Sequence, residues 1–115
     1  MNNGQASRVH RTTMFKVPDP GNQRKLVEAY RVLTRVQAKA GKPYILYACA
    51  GQVKDGTRSK GYTVVAQTSF SNLDDMKFYD TECPAHAALK ETAAGLGLSE
   101  PPLVVYLEEE PGMAG

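Results

Sequence analysis

The chain has 115 residues, 42% of them apolar, and a formal charge of +2. That length fits one domain with a modest core and leaves little room for a second, and no run of about 18 apolar residues marks a membrane span. Twelve of the 14 Lys and Arg lie in residues 1–60 against three acids (Asp19, Glu28, Asp55), but they are scattered and no aromatic–basic RNA motif accompanies them, so a nucleic-acid partner is not expected.

Residues 1–7 are polar and lack the apolar segment of a secretory signal; they read as a disordered lead. "RVHRTTMFKV" (8–17) alternates, with Val9, Arg11, Thr13, Phe15 and Val17 on one face and His10, Thr12, Met14 and Lys16 on the other, which predicts a strand. "PDPG" ends it. Residues 22–40 change to a three-to-four-residue period through Leu26, Tyr30, Leu33, Val36 or Gln37, and Ala40: an amphipathic helix, capped by Asp19 or Asn22 and stopped by Gly41 and Pro43. Strands follow at 44–53 and 62–70, joined by a basic turn containing Asp55-Gly56.

"SNLDDMKFYD" (71–80) opens a short helix, with Ser71 and Asp74 spaced as in a capping box. Thr81 is placed to cap a further helix with Pro84 in its first turn and a buried stripe of Ala85, Ala88, Leu89, Thr92 and Leu96. Gly95 and Gly97 end it, and "PPLVVYLEEE" (101–110) is a last strand. The order is β-α-β-β-α-β, with the second helical region broken in two. It predicts an α+β, ferredoxin-like protomer, a four-stranded antiparallel sheet with helices on one face. The domain spans 8–110 and the tail 111–115. Because the strands are apolar on both faces, the second face needs a cover, and a second copy of the chain is the one available: a homodimer is expected.

"YDTECPAHAALK" (79–90) concentrates the reactive side chains. A free imidazole titrates near pH 6.5, so His86 is a candidate general base; Tyr79 can donate a hydrogen bond to a developing enolate oxygen. The plainer alternative, in which His86 hydrogen-bonds locally and Tyr79 packs, stays open. Asp80, Glu82, Cys83 and His86 have no second histidine nearby, so no metal is expected. Cys83 reads as a small buried residue rather than a nucleophile. Cys49 and Cys83 are too few for a disulfide framework, and the expected compartment is a reducing one, the cytoplasm.

The "VHRTTMFKV" strand, "KGYTVVAQTSF" running into "SNLDDMKFY", and "PAH" at 84–86 together resemble the stress-responsive dimeric A/B-barrel family over about residues 8–110. The resemblance implies two sheets closing a barrel and a cavity in each protomer for a small apolar or aromatic molecule. A plant member is a polyketide cyclase that works without metal or organic cofactor. It implies His86 and Tyr79 as the catalytic pair, with one extra residue here between Tyr79 and Pro84. It also implies substrate-binding positions at His10 and at Val64, the latter where the cyclase has a histidine. Of the tyrosines able to line an aromatic pocket, Tyr62 joins them. The function expected is a cofactor-free cyclase or lyase on a polyketide-like or aromatic carbonyl compound. The alternative is a non-catalytic stress-responsive or ligand-binding dimer. Small antibiotic-biosynthesis monooxygenases share this barrel, but tryptophan is often important in their sites and this chain has none.

Overall fold

A computed structural model describes residues 7–112. The expected lead therefore lies, but for Ser7, outside the described residues, as does the tail from residue 113. Seven elements follow in chain order: β1 (Val9–Phe15), α1 (Pro20–Val36), β2 (Ile45–Gln52), β3 (Val64–Phe70), α2 (Leu73–Thr81), α3 (Pro84–Ala94) and β4 (Leu103–Glu108). The strands form one antiparallel sheet in the order β2-β3-β1-β4, a ferredoxin-like α+β arrangement.

The alternation in β1 decides the two faces. Val9, Arg11, Thr13 and Phe15 are buried beneath the helices, and Val17 continues the set. They pack with Val64, Ala66 and Phe70 of β3, Leu26, Tyr30 and Leu33 of α1, and Met76 and Tyr79 of α2. His10, Thr12 and Met14 point the other way. Register places Ser69, Gln67 and Val65 of β3 and Leu107, Val105 and Leu103 of β4 on that same face. Tyr47, Leu103, Val105 and Leu107 are exposed there in the single chain, so the expected second apolar face is present.

Three helix ends differ from expectation, each for a local hydrogen-bonding reason. The first helix starts at the earlier of its two expected caps, Asp19, which accepts from Asn22 N at 2.9 Å with Pro20 in the first turn. It stops at Val36 rather than near Ala40, because Gln37 is extended. The Gln37 side-chain oxygen accepts from Tyr44 N (2.9 Å) and Ile45 N (3.2 Å), tying the helix exit to the start of β2. Ala40 and Gly41, both at positive φ, turn the chain between them. In α2 the cap is Asn72, accepting from Asp75 N at 2.8 Å, and not Ser71. Thr81 does not cap α3; it is the last residue of α2, and its hydroxyl donates to Lys77 O at 2.8 Å. Cys83 holds the N-cap position of α3 without a side-chain bond. β3 begins at Val64, since Lys60 and Gly61 take positive φ and keep Tyr62 in the turn.

The cap assignment has a direct consequence for stability. Asn72→Ala should cost about 1 kcal/mol, whereas Ser71→Ala should stay within about 0.5 kcal/mol of the parent, both read from urea unfolding at one protein concentration.

Candidate functional site

Pro84 opens α3 and leaves His86 in its first turn. The buried positions of that helix are His86, Leu89 and Ala93, followed by Leu96. Ala88 and Thr92 of the expected stripe are exposed and Ala85 is half-buried. Leu89 and Leu96 belong to either reading of the period, and packing turns the helix so that His86 faces inward.

His86 Nδ1 lies 2.7 Å from Tyr79 O. A carbonyl only accepts, so Nδ1 carries the proton and Nε2 keeps its lone pair. No protein partner for Nε2 is found among the described residues. The imidazole stacks on the Tyr79 ring, with centroids 3.7 Å apart and planes 11° from parallel. Tyr79 in turn meets Phe70 at 5.2 Å. Burial lowers the His86 pKa to about 4, with the Arg11 and Lys90 charges acting in the same direction and the Tyr79 carbonyl opposing them. The ring is therefore neutral at neutral pH.

A cavity of about 290 Å³ lies between the sheet and the helices, and His86 lines it. Its walls are mainly apolar, among them Phe15, Leu89 and Val104, and its polar side chains include Arg11, Thr13 and Tyr30. Tyr30 sits on the inward face of α1. Burial raises its pKa to about 12, against the smaller opposing effects of the Arg11 charge and the Thr13 hydroxyl, so its hydroxyl stays protonated. Arg11 is buried mid-strand, an expensive place for a cation unless it is paired. It donates to Thr13 Oγ1 and to Asp80 Oδ1, both at 2.8 Å, and its guanidinium carbon sits 5.1 Å from the Tyr79 ring centroid. Lys90, also on the cavity, donates to Asp80 O at 2.9 Å.

Of the five site residues read from sequence, the structure brings only His86 to this cavity. Tyr79 is the surface on which His86 stacks. Its hydroxyl is buried, finds no partner among the described residues and does not line the cavity. His10 is on the opposite face of the sheet, because neighbouring residues of a strand point to opposite sides; the β1 residue that reaches the cavity is Arg11. Val64 is fully buried in the core, opposite Phe15 and Gln52. Tyr62 lies in the turn before β3, with Lys16 Nζ 4.9 Å from its ring centroid. The residues missed are Arg11 and Thr13; Tyr30 is one of the six tyrosines able to line a pocket but not one singled out from sequence. A lone charge on the face that also carries Val9, Phe15 and Val17 is the signal that could have marked Arg11.

Cys83 is buried. Among the described residues no group of three or more His, Cys, Asp or Glu is placed to hold a metal ion, and no helix is long and apolar enough to cross a membrane.

Comparison with known proteins agrees with this architecture. A Gibberella zeae protein named as a fusaristatin A biosynthesis cluster protein is 46% identical over 86 residues, which cover 75% of this chain and 62% of that protein. The matched segment thus spans about three-fifths of the relative. A dimeric protein of unknown function and ferredoxin-like fold from Bacteroides fragilis superposes with a TM-score of 0.66 at 21% identity, covering 91% of this chain and 99% of the other. The hydroxynitrile lyase of Passiflora edulis superposes with a TM-score of 0.71 at 11% identity, covering 94% and 98%. Residues 9–98 match the sequence profile of the stress responsive A/B barrel domain, and the chain belongs to that family.

Proposed function

We propose that the protein is a homodimeric, cofactor-free cyclase or lyase acting on a small, largely apolar carbonyl compound, polyketide-like or aromatic. One observation carries the reading: a neutral histidine whose Nε2 has no partner among the described residues lines an apolar cavity of about 290 Å³ that Tyr30, its hydroxyl protonated, also lines. His86 Nε2 takes a proton from the carbon alpha to a carbonyl, and the electron pair moves onto the carbonyl oxygen. Tyr30, in place of the expected Tyr79, donates a hydrogen bond to that enolate. The carbanion attacks a second carbonyl of the same molecule, and the proton lent to Nε2 returns to the new alkoxide. Run backwards, the same steps cleave a carbon–carbon bond. Arg11, held by Thr13 and Asp80, adds positive charge on the side where the oxyanion forms.

A relative named for a biosynthesis cluster and a structural neighbour that is a lyase support this chemistry. The buried hydroxyl of Tyr79 and the apolar Val64 favour a second reading, a dimer that binds such a compound without turning it over. In either case the second copy covers the outward sheet face.

Alpha-deuterium exchange into a panel of small aromatic ketones, followed by NMR, separates the two readings. Wild type should accelerate exchange, His86→Ala should lose roughly 100-fold or more, and Tyr30→Phe roughly 10- to 1000-fold. Saturable binding with equal exchange in wild type and His86→Ala would leave only the binder.

The buried histidine also sets a pH dependence. Unfolded, His86 titrates near 6.5; folded, near 4. Between those values the unfolded chain holds a proton that the folded chain does not. Stability should therefore fall as pH drops from about 6.5 to about 4, by no more than about 3 kcal/mol. His86→Gln should flatten that part of the profile, measured as urea midpoints against pH at fixed protein concentration.

Light scattering tests the dimer. Wild type should run as twice the protomer mass, and Val105→Glu should run as a monomer, since a carboxylate pressed against the partner's apolar side chains loses its hydration. A monomeric wild type would remove the cover from the outward face and the proposal with it.

A further inference from the structure

On the sheet face away from the helices, three side chains from three parts of the chain form a continuous relay. His10 of β1 lies with Nδ1 2.7 Å from Ser69 Oγ of β3 and with Nε2 2.6 Å from Glu109 Oε2, just beyond β4. Backbone pairing holds all three in place. His10 and Ser69 are direct cross-strand partners, and Glu109 N donates to Arg8 O at 2.9 Å. A carboxylate only accepts, so in the neutral ring Nε2 carries the proton and Nδ1 accepts from the serine hydroxyl. A hydroxyl hydrogen-bonded to a histidine whose far nitrogen is held by a carboxylate is the arrangement that activates a serine. The relay opens on a pocket of about 420 Å³ lined by Arg8, His10, Thr12, Tyr47, Gln67 and Ser69.

We propose that Ser69, His10 and Glu109 form a second reactive site, in which Ser69 is a nucleophile toward small activated acyl esters or thioesters. Ser69 Oγ attacks the acyl carbonyl carbon while its proton passes to His10 Nδ1. The tetrahedral intermediate collapses, the bond to the leaving oxygen or sulfur breaks, and His10 returns the proton to that leaving group. Water then attacks the acyl-serine, giving its proton to His10, and the acid leaves as Ser69 is regenerated. Glu109 is a positioning residue: it fixes the tautomer and supports the imidazolium. Arg8 and the Gln67 amide, whose oxygen faces Cys49 Sγ at 3.8 Å, are the donors on the same pocket for the oxyanion. In the proposed dimer this pocket lies between the two sheets, open to water and small molecules. Ser69, His10 and Glu109 take no part in the His86 chemistry, and the site stands or falls independently of it.

The intact wild-type dimer is treated with a small alkyl fluorophosphonate, which a nucleophilic serine attacks with loss of fluoride. The adduct is located by peptide mass mapping. One adduct per chain at Ser69 is expected, with release of nitrophenol from p-nitrophenyl acetate. His10→Ala should slow both roughly 100-fold. Glu109→Gln should slow them and shift the rate–pH profile, which a purely structural carboxylate would not do. Ser69→Ala should abolish both and leave His86-dependent ketone exchange unchanged. Ser69→Cys supplies a second variant, whose alkylation by iodoacetamide should be faster with His10 than without it. No adduct at Ser69 in the dimer, or labelling and thiol alkylation indifferent to His10→Ala, overturns the proposal.

Discussion

A buried arginine organises this protein. Arg11 sits in the middle of β1 on the face that the helices cover, where a free cation would be very costly. Its bonds to Thr13 and Asp80 tie the sheet to α2 at the point where the chain turns into α3. Beside it stand Tyr79 and, stacked on Tyr79, His86. Removing one partner from such a cluster would strand the others, so its geometry is held as a unit.

The cavity follows from that anchor. Asp80 binds Arg11 through its side chain and Lys90 through its carbonyl, so the end of α2 is fastened to β1 and to α3 together. The α2–α3 junction also presents the Tyr79 carbonyl to His86, which selects the imidazole tautomer. A ring held in one tautomer, neutral by burial and edged by apolar walls, is a pre-organised base. The same burial that makes it neutral makes its protonation disfavour the fold.

The sheet then separates two polar groups that the sequence brings close together. His10 and Arg11 are neighbours in the chain and lie on opposite sides of the molecule. Arg11 belongs to the cavity under the helices. His10 belongs to the outward face, among Leu103, Val105, Leu107 and Tyr47, where it bridges Ser69 and Glu109.

Much of the fold was legible from periodicity. Two-residue alternation in 8–17 and the three-to-four-residue spacing of Leu26, Tyr30 and Leu33 marked strand and helix because burial repeats with the geometry of each. The same alternation showed that the sheet was apolar on both sides. His86 was legible as a candidate because a histidine in a first helical turn, within an Ala- and Leu-rich helix, stands out. Its companions were not. Whether α3 buries Ala85 and Thr92 or His86 and Ala93 depends on how the helix packs, since both sets keep the same period. The cap at Asn72, the early end of α1 at Gln37 and the role of Tyr30 each rest on a hydrogen bond or a cavity between residues far apart in the chain. Sequence by itself determined the element order and the two-faced sheet, because those are set by local spacing and side-chain polarity. Only the tertiary structure decided that Tyr30 rather than Tyr79 meets the cavity and that His10 turns away from it, because a side chain's neighbours are chosen by packing across the sheet and not by position along it.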